Sequence, residues 1–165
     1  MKKILLFGAG KIGRSFIGQL FSRGGYEVIF VDINRDLIKA LNDNRSYPVI
    51  IKSDHGNETL LIKNVRGIPL SDHDAIYNEL MDVSYVATAV GNENLKEVIP
   101  VIAEGIKRRL DKGIHHPVDI IIAENLRNAS AFFREHLEKH IPPDNIHTYI
   151  GLAETSIGKM VPIMT

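Results

Sequence analysis

An apolar run, Lys3-Ile-Leu-Leu-Phe7, meets glycines at positions 8, 10 and 13, and this junction constrains the chain more than any other stretch. The spacing is that of a strand turning into a helix over a phosphate. Gly8 permits the tight turn, Gly10 lets backbone approach a pyrophosphate with no Cβ in the way, and Gly13 lets the following helix pack closely on the strand. The anion then meets the unpaired N–H groups that begin the helix, at Lys11 and Ile12, and the positive end of the helix dipole.

Loops are rich in glycine, so the flanking sequence decides what this triplet is for. A helical pattern follows (Phe16, Ile17, Leu20, Phe21), then a Gly24-Gly25 break and a second apolar run, Val28 to Val31, that ends on Asp32. This acid lies about twenty residues past the triplet, where a dinucleotide fold places a carboxylate for the adenosine ribose hydroxyls. A second role for Asp32 is to cap a helix starting near Asn34. Strand, triplet, helix, strand and acid together predict an α/β fold: a doubly wound parallel sheet of the Rossmann type that binds a dinucleotide.

The remaining chain extends this pattern with one interruption. Ile33, Leu37, Ile38 and Leu41 have the spacing of the second crossover helix. Two short strands, 47–52 and 59–65, flank a polar turn and predict a small inserted β-hairpin. A helix is expected over 72–80 and a strand over 83–90, closing on Gly91. Ligands in open parallel sheets lie beyond the carboxyl ends of strands, so Thr88, Ala89, Val90 and Gly91 form a candidate cofactor wall. Helix packing against the sheet is the other reason for small residues there. The next helix, 94–110, contains Pro100, expected to bend or restart it, and its tail Lys107-Arg108-Arg109 reads as a solvated helix end. The apolar run 118–123 predicts a central strand ending in Glu124-Asn125, where chemistry would sit. A helix over 128–140 and a last strand over 145–152 follow.

Bulk properties narrow the class. The chain has 165 residues, enough for a single substantial core. Its 20 basic and 20 acidic residues cancel, so no long-range attraction for nucleic acid or an acidic membrane is expected. There is no cysteine, which removes disulfides and thiolate chemistry and is compatible with the cytoplasm. No run reaches membrane-spanning length, and the apolar stretch after Met-Lys-Lys is broken too early for a secretory signal. His136 and His140 are four apart, as zinc ligands can be, yet Leu137 stands where a metalloprotease has its glutamate, so a surface helix is the better reading. Neither a Gly-x-Ser-x-Gly elbow nor the Lys-Ser/Thr pair of an ATPase loop is present.

Several signatures resemble the polyol-specific long-chain dehydrogenases and, within them, the mannitol-1-phosphate 5-dehydrogenases. These are Phe7-Gly-Ala-Gly-Lys-Ile-Gly-Arg-Ser-Phe-Ile-Gly18, Leu41-Asn42 with Ser46-Tyr47, Thr88-Ala-Val-Gly91 and Ala123-Glu-Asn125. The resemblance implies NAD as cofactor and a cytoplasmic oxidoreductase interconverting mannitol 1-phosphate and fructose 6-phosphate. It also implies that residues 1–165 are the NAD-binding half, short of a helical substrate domain that supplies the lysine base, and that this half is inactive alone. Gly158-Lys-Met-Val-Pro162 departs from the Asp-Arg-Ile-Val-Pro usual in the family, which leaves the sugar open. The resemblance gives Asn125 the role of polarising the reacting oxygen. An amide there suits the alkoxide character that develops in hydride transfer; capping the next helix is its alternative role. Two further classes stay open: a dehydrogenase of another polyol or sugar acid, and a non-catalytic nucleotide-sensing module.

Overall fold

Residues 2–54 and 56–158 are described by the computed structural model; His55 and the tail from Lys159, with most of the departing Gly158–Pro162 motif, lie outside the described residues. The first apolar run is strand β1, Lys3–Phe7, whose last four side chains are fully buried. It pairs in parallel with β2, Glu27–Asp32, on one side and with β6, Tyr85–Thr88, on the other. A central strand covered on both faces must be apolar throughout, which is why these runs do not alternate.

Between β1 and β2 the chain forms a π-helical stretch, Gly13–Gly18, continuing as α1, Gln19–Arg23. After β2 come α2, Arg35–Asn44, and an antiparallel hairpin of β3, Ser46–Ser53, with β4, Gly56–Lys63. Tyr47, Val49 and Ile62 turn one face of the hairpin into the core, while Ile50 and Leu61 remain exposed. The main chain then returns to the sheet as β5, Val65–Pro69, and continues through α3, His73–Leu80, β6, and α4, Leu95–Asp111. Strand β7, Val118–Ile122, α5, Ala129–Leu137, α6, Pro143–Tyr149, and β8, Ile150–Glu154, complete it. The sheet order is β5-β2-β1-β6-β7-β8, every pair parallel. Strand order therefore reverses between β1 and β6, and this switch point opens a crevice at their carboxyl ends.

Several expectations are corrected. The run expected as one strand over 59–65 breaks at Asn64, whose φ is 56°, and Val65 begins the separate edge strand β5. Gly67 and Pro69 disguise that strand. Gly67 makes room for Ile38, whose Cδ1 would lie 2.6 Å from an added Cβ, and proline is tolerated on a sheet edge. Asn42 covers the same edge: its side chain donates to the Gly67 carbonyl at 3.0 Å and accepts from the Gly67 N–H at 2.8 Å. The strand expected over 145–152 begins only at Ile150, because Pro143 starts a short helix instead. Pro100 neither ends nor restarts α4; the carbonyl it leaves without a donor belongs to exposed Lys96.

The expected solvated helix end is also divided. Arg108 lies over the Tyr77 ring and bonds Glu104, whereas Arg109 is 1% exposed. Its guanidinium donates to the carbonyls of Leu80, Val83 and His116, so it ties α4 to the approach of β6. Burial holds its pKa below the ordinary arginine value. His136 sits on α5 with Nδ1 2.9 Å from the Phe132 carbonyl.

Candidate functional site

Gly8 leaves β1 with φ of 99° and donates its N–H to the Val31 carbonyl. A side chain there would be strained by the backbone and would also run into the Ala89 carbonyl. Gly13 faces back onto the Gly8 carbonyl so closely that any Cβ would overlap it. Gly10 is different. A Cβ at Gly10 would meet no protein atom within 4 Å, so the space in front of it is open. Two glycines thus allow chain to touch chain, and the third faces vacant space at the start of the helix, beside Lys11 and Ile12.

The helix that follows has an unusual first part. It is π-helical over Gly13–Gly18, and Tyr47 of the hairpin donates its hydroxyl to the Arg14 carbonyl at 2.6 Å. Gly18 is needed beneath that contact, since a Cβ would lie 2.6 Å from Phe30 Cζ and 2.7 Å from the Tyr47 hydroxyl. Burial raises the Tyr47 pKa, so the hydroxyl stays protonated and able to donate. This accounts physically for Gly18 and Tyr47, which local strand and helix patterns leave unexplained.

Asp32 ends β2 next to the glycine turn. One carboxylate oxygen accepts from the Ala9 N–H at 2.7 Å and the other from the Asn34 N–H at 2.9 Å. The N-cap of α2 is Asn34, whose side chain accepts from the Leu37 N–H, so capping does not occupy Asp32. Each Asp32 oxygen keeps a lone pair for a further donor. Ile33, expected on the buried face of α2, instead precedes the helix and is 79% exposed beside Asp32. Sequence spacing misplaced it; a large apolar residue directly after the strand-ending acid was the available signal. Arg35 reaches away to the Ser71 hydroxyl at 3.3 Å.

Across the switch point, Ala89 donates its N–H to the Phe7 carbonyl, and Gly91 turns with φ of 84°. Glu124, at the end of β7, is 9% exposed, and its two oxygens accept separately from the N–H groups of Val90 and Gly91, each at 2.9 Å. Burial raises its pKa, with those two N–H groups and the Thr88 hydroxyl acting in the opposite direction. Thr88 Oγ1 is buried beside it without a well-formed hydrogen bond. Asn92 donates its side-chain N–H to the Asn125 carbonyl at 2.7 Å. The Asn125 side chain is exposed and does not cap α5, whose N-cap residue is Asn128; Ser130 in the first turn of α5 donates its N–H and hydroxyl to Glu154 instead.

The predicted residues therefore converge: Gly8, Gly10, Lys11, Ile12, Gly13, Asp32, Ala89, Val90, Gly91 and Asn125 all stand at or just beyond the carboxyl ends of β1, β2, β6 and β7. Hollows over α5, lined by Ser130 and Arg134, and between α3 and α4, lined by Tyr77 and Arg108, include none of them. Among the described residues no cluster of three potential metal ligands occurs, and no helix is long and apolar enough to cross a membrane.

A family model described as the mannitol dehydrogenase Rossmann domain matches residues 2–165. A mannitol-1-phosphate 5-dehydrogenase of Streptococcus mutans is 35% identical over 98% of this chain and 43% of its own length. One of Buchnera aphidicola is 36% identical over 97% of the chain and 42% of its own length. The chain thus spans about two fifths of these curated relatives. Among solved structures, a Pseudomonas fluorescens mannitol 2-dehydrogenase in ternary complex with NAD and D-mannitol superposes with a TM-score of 0.74 at 13% identity. The match covers 91% of this chain and 40% of that one, and establishes likeness of fold.

Proposed function

The chain belongs to the mannitol dehydrogenase family, matching its Rossmann domain, and from that premise we propose that it binds NAD(H) as the nucleotide half of a dehydrogenase acting on mannitol 1-phosphate. The observation that carries the cofactor assignment is the fixed carboxylate of Asp32 beside a glycine turn with open space at Gly10. These residues fit a dinucleotide. Gly8, Gly10 and Gly13 with the amides of Lys11 and Ile12 would take the pyrophosphate, and Asp32 would accept from both ribose hydroxyls. Ile33 would offer an apolar surface to the adenine, and Ala89, Val90 and Gly91 would line the path towards the nicotinamide.

Asp32 also sets the choice between cofactors, because its charge would repel a 2′-phosphate. Arg35 offers little compensation while it is engaged with Ser71. NAD supplies the hydride chemistry when bound. Asn125, at the end of β7, would hold the substrate oxygen by donating from its amide, stabilising negative charge as the alcohol becomes a carbonyl. Among the described residues of the crevice none is assigned the hydroxyl proton: Glu124 is buried, and each of its oxygens already accepts from a backbone N–H. The reading therefore places the base on a second, helical domain and the substrate between the two; the cytoplasm is the location that the family resemblance implies. Parallel titrations of the chain with NADH and NADPH test the cofactor assignment: tighter NADH binding supports it, and equal or tighter NADPH binding refutes it.

A further inference from the structure

Building on the NAD-binding reading, we propose that Glu124 is a positioning residue that shapes the cofactor wall by clasping the carboxyl end of β6 to that of β7. Three bonds make the clasp: Glu124 Oε1 accepts from Val90, Glu124 Oε2 from Gly91, and Asn92 donates to the Asn125 carbonyl. A carboxylate side chain has two acceptor oxygens and so takes two successive N–H groups separately, and when it is ionised such charge-assisted bonds are roughly twice as strong as neutral ones. They also hold Gly91 in its left-handed turn, with φ of 84°.

The clasp reaches the glycine turn through one further contact. The Ala89 carbonyl, next to Val90, lies against Gly8, where no side chain could fit. Ala89 is itself bonded to Phe7 of β1. A shift of the Val90–Gly91 segment would therefore be transmitted to the floor of the pyrophosphate turn. On the other side, Glu124 adjoins Asn125, so the same anchorage sets where the end of β7 presents its amide. A carboxylate that neither touches the cofactor nor exchanges a proton thus aligns both walls of the crevice.

Glu124→Gln tests this with minimal change of shape. One end of the glutamine is an NH2, which would face an N–H and break one of the two bonds. NADH binding, followed by its fluorescence on the 165-residue chain, should weaken roughly tenfold, the size expected for loss of one charge-assisted bond. In 1H–15N spectra, the Val90 and Gly91 amides should move upfield in the variant before any cofactor is added, which general destabilisation would not produce selectively. Unchanged NADH affinity, or unmoved resonances at 90 and 91 in a folded variant, would overturn the clasp while leaving the NAD reading intact. Failure of the wild-type chain to bind NADH would overturn both. If the variant does not fold, the wild-type spectrum decides: NADH should perturb the Val90 and Gly91 amides together, and no perturbation refutes the proposal.

Discussion

Gly10 and Gly13 lie three residues apart in one motif, yet the structure assigns them opposite kinds of constraint, and paired substitutions should separate them. Gly10→Val adds a Cβ where no protein atom lies within 4 Å, and Gly10 lacks the left-handed φ of Gly8. Its folding cost should be small, within about 1 kcal/mol, as for a tolerated substitution at the protein surface. Gly13→Ala places a methyl into the Gly8 carbonyl, and both partners are backbone of elements fixed by their own bonds. Overpacking of this kind costs roughly 1–3 kcal/mol or more, which in a domain of this size lowers Tm by about 2–4 °C per kcal/mol. Thermal unfolding by circular dichroism and NADH binding by fluorescence should therefore dissociate. Gly10→Val should keep the wild-type Tm within about 4 °C and lose measurable NADH binding. Gly13→Ala should lose roughly 2–12 °C. Retained NADH binding by Gly10→Val, or equal thermal losses in the two variants, would refute the division of labour.

Asp32→Ser should narrow or abolish the preference for NADH over NADPH in paired titrations, since the repelled 2′-phosphate then meets no fixed charge. Tyr47→Phe should cost about 1 kcal/mol in urea unfolding, the worth of one hydrogen bond, because the hydroxyl's bond to the Arg14 carbonyl is lost; an unchanged midpoint would show that the hairpin does not brace the π-helical segment. Arg109→Met should destabilise by roughly 2–4 kcal/mol in the same assay, leaving three carbonyls without their donor. If the base lies on a second domain, as proposed, the 165-residue chain alone should show no NAD-dependent oxidation of mannitol 1-phosphate; turnover by this chain, followed by NADH absorbance, would place the base within it.

The fold was legible wherever a single physical requirement governed a run of residues. Strands buried on both faces must be apolar, so β1, β2 and β7 stood out, and the glycine spacing fixed the turn between β1 and the first helix. Legibility failed where a distant contact decided the outcome. Val65–Pro69 carries a glycine and a proline that read as a break, yet Ile38 fills the space over Gly67 and Asn42 bonds its outward edge. Ile33 has helical spacing to Leu37, but Asn34 starts the helix one residue too late to bury it. Arg109 follows two other basic residues on a helix end, and only the carbonyls of Leu80, Val83 and His116 converging on one point explain its burial. At the site, residue types and order located Asp32 and Glu124. Their hydrogen bonds to Ala9, Val90 and Gly91 depend on strand neighbours far apart in sequence.

The two ends of the sheet differ in how their charges are compensated. At the amino ends of the strands, Arg66 bonds Glu27 and Glu79, Arg45 bonds Glu27, and Lys3 bonds Glu79 and pairs with Asp82. Burial opposes the charge on Arg66, but its bonds to Glu27 and Glu79 prevail and raise its pKa above the ordinary arginine value. Opposite charges there compensate one another, so the network has no net demand for a ligand. At the carboxyl ends, by contrast, the carboxylates of Asp32 and Glu124 are held by backbone N–H groups and have no cationic partner within ion-pair distance among the described residues. Neutral N–H groups fix a carboxylate in place without cancelling its charge. Under the proposed NAD-binding role, Asp32 would consequently remain oriented and still discriminate between a ribose diol and a phosphate, a selectivity that an arginine paired with it would remove.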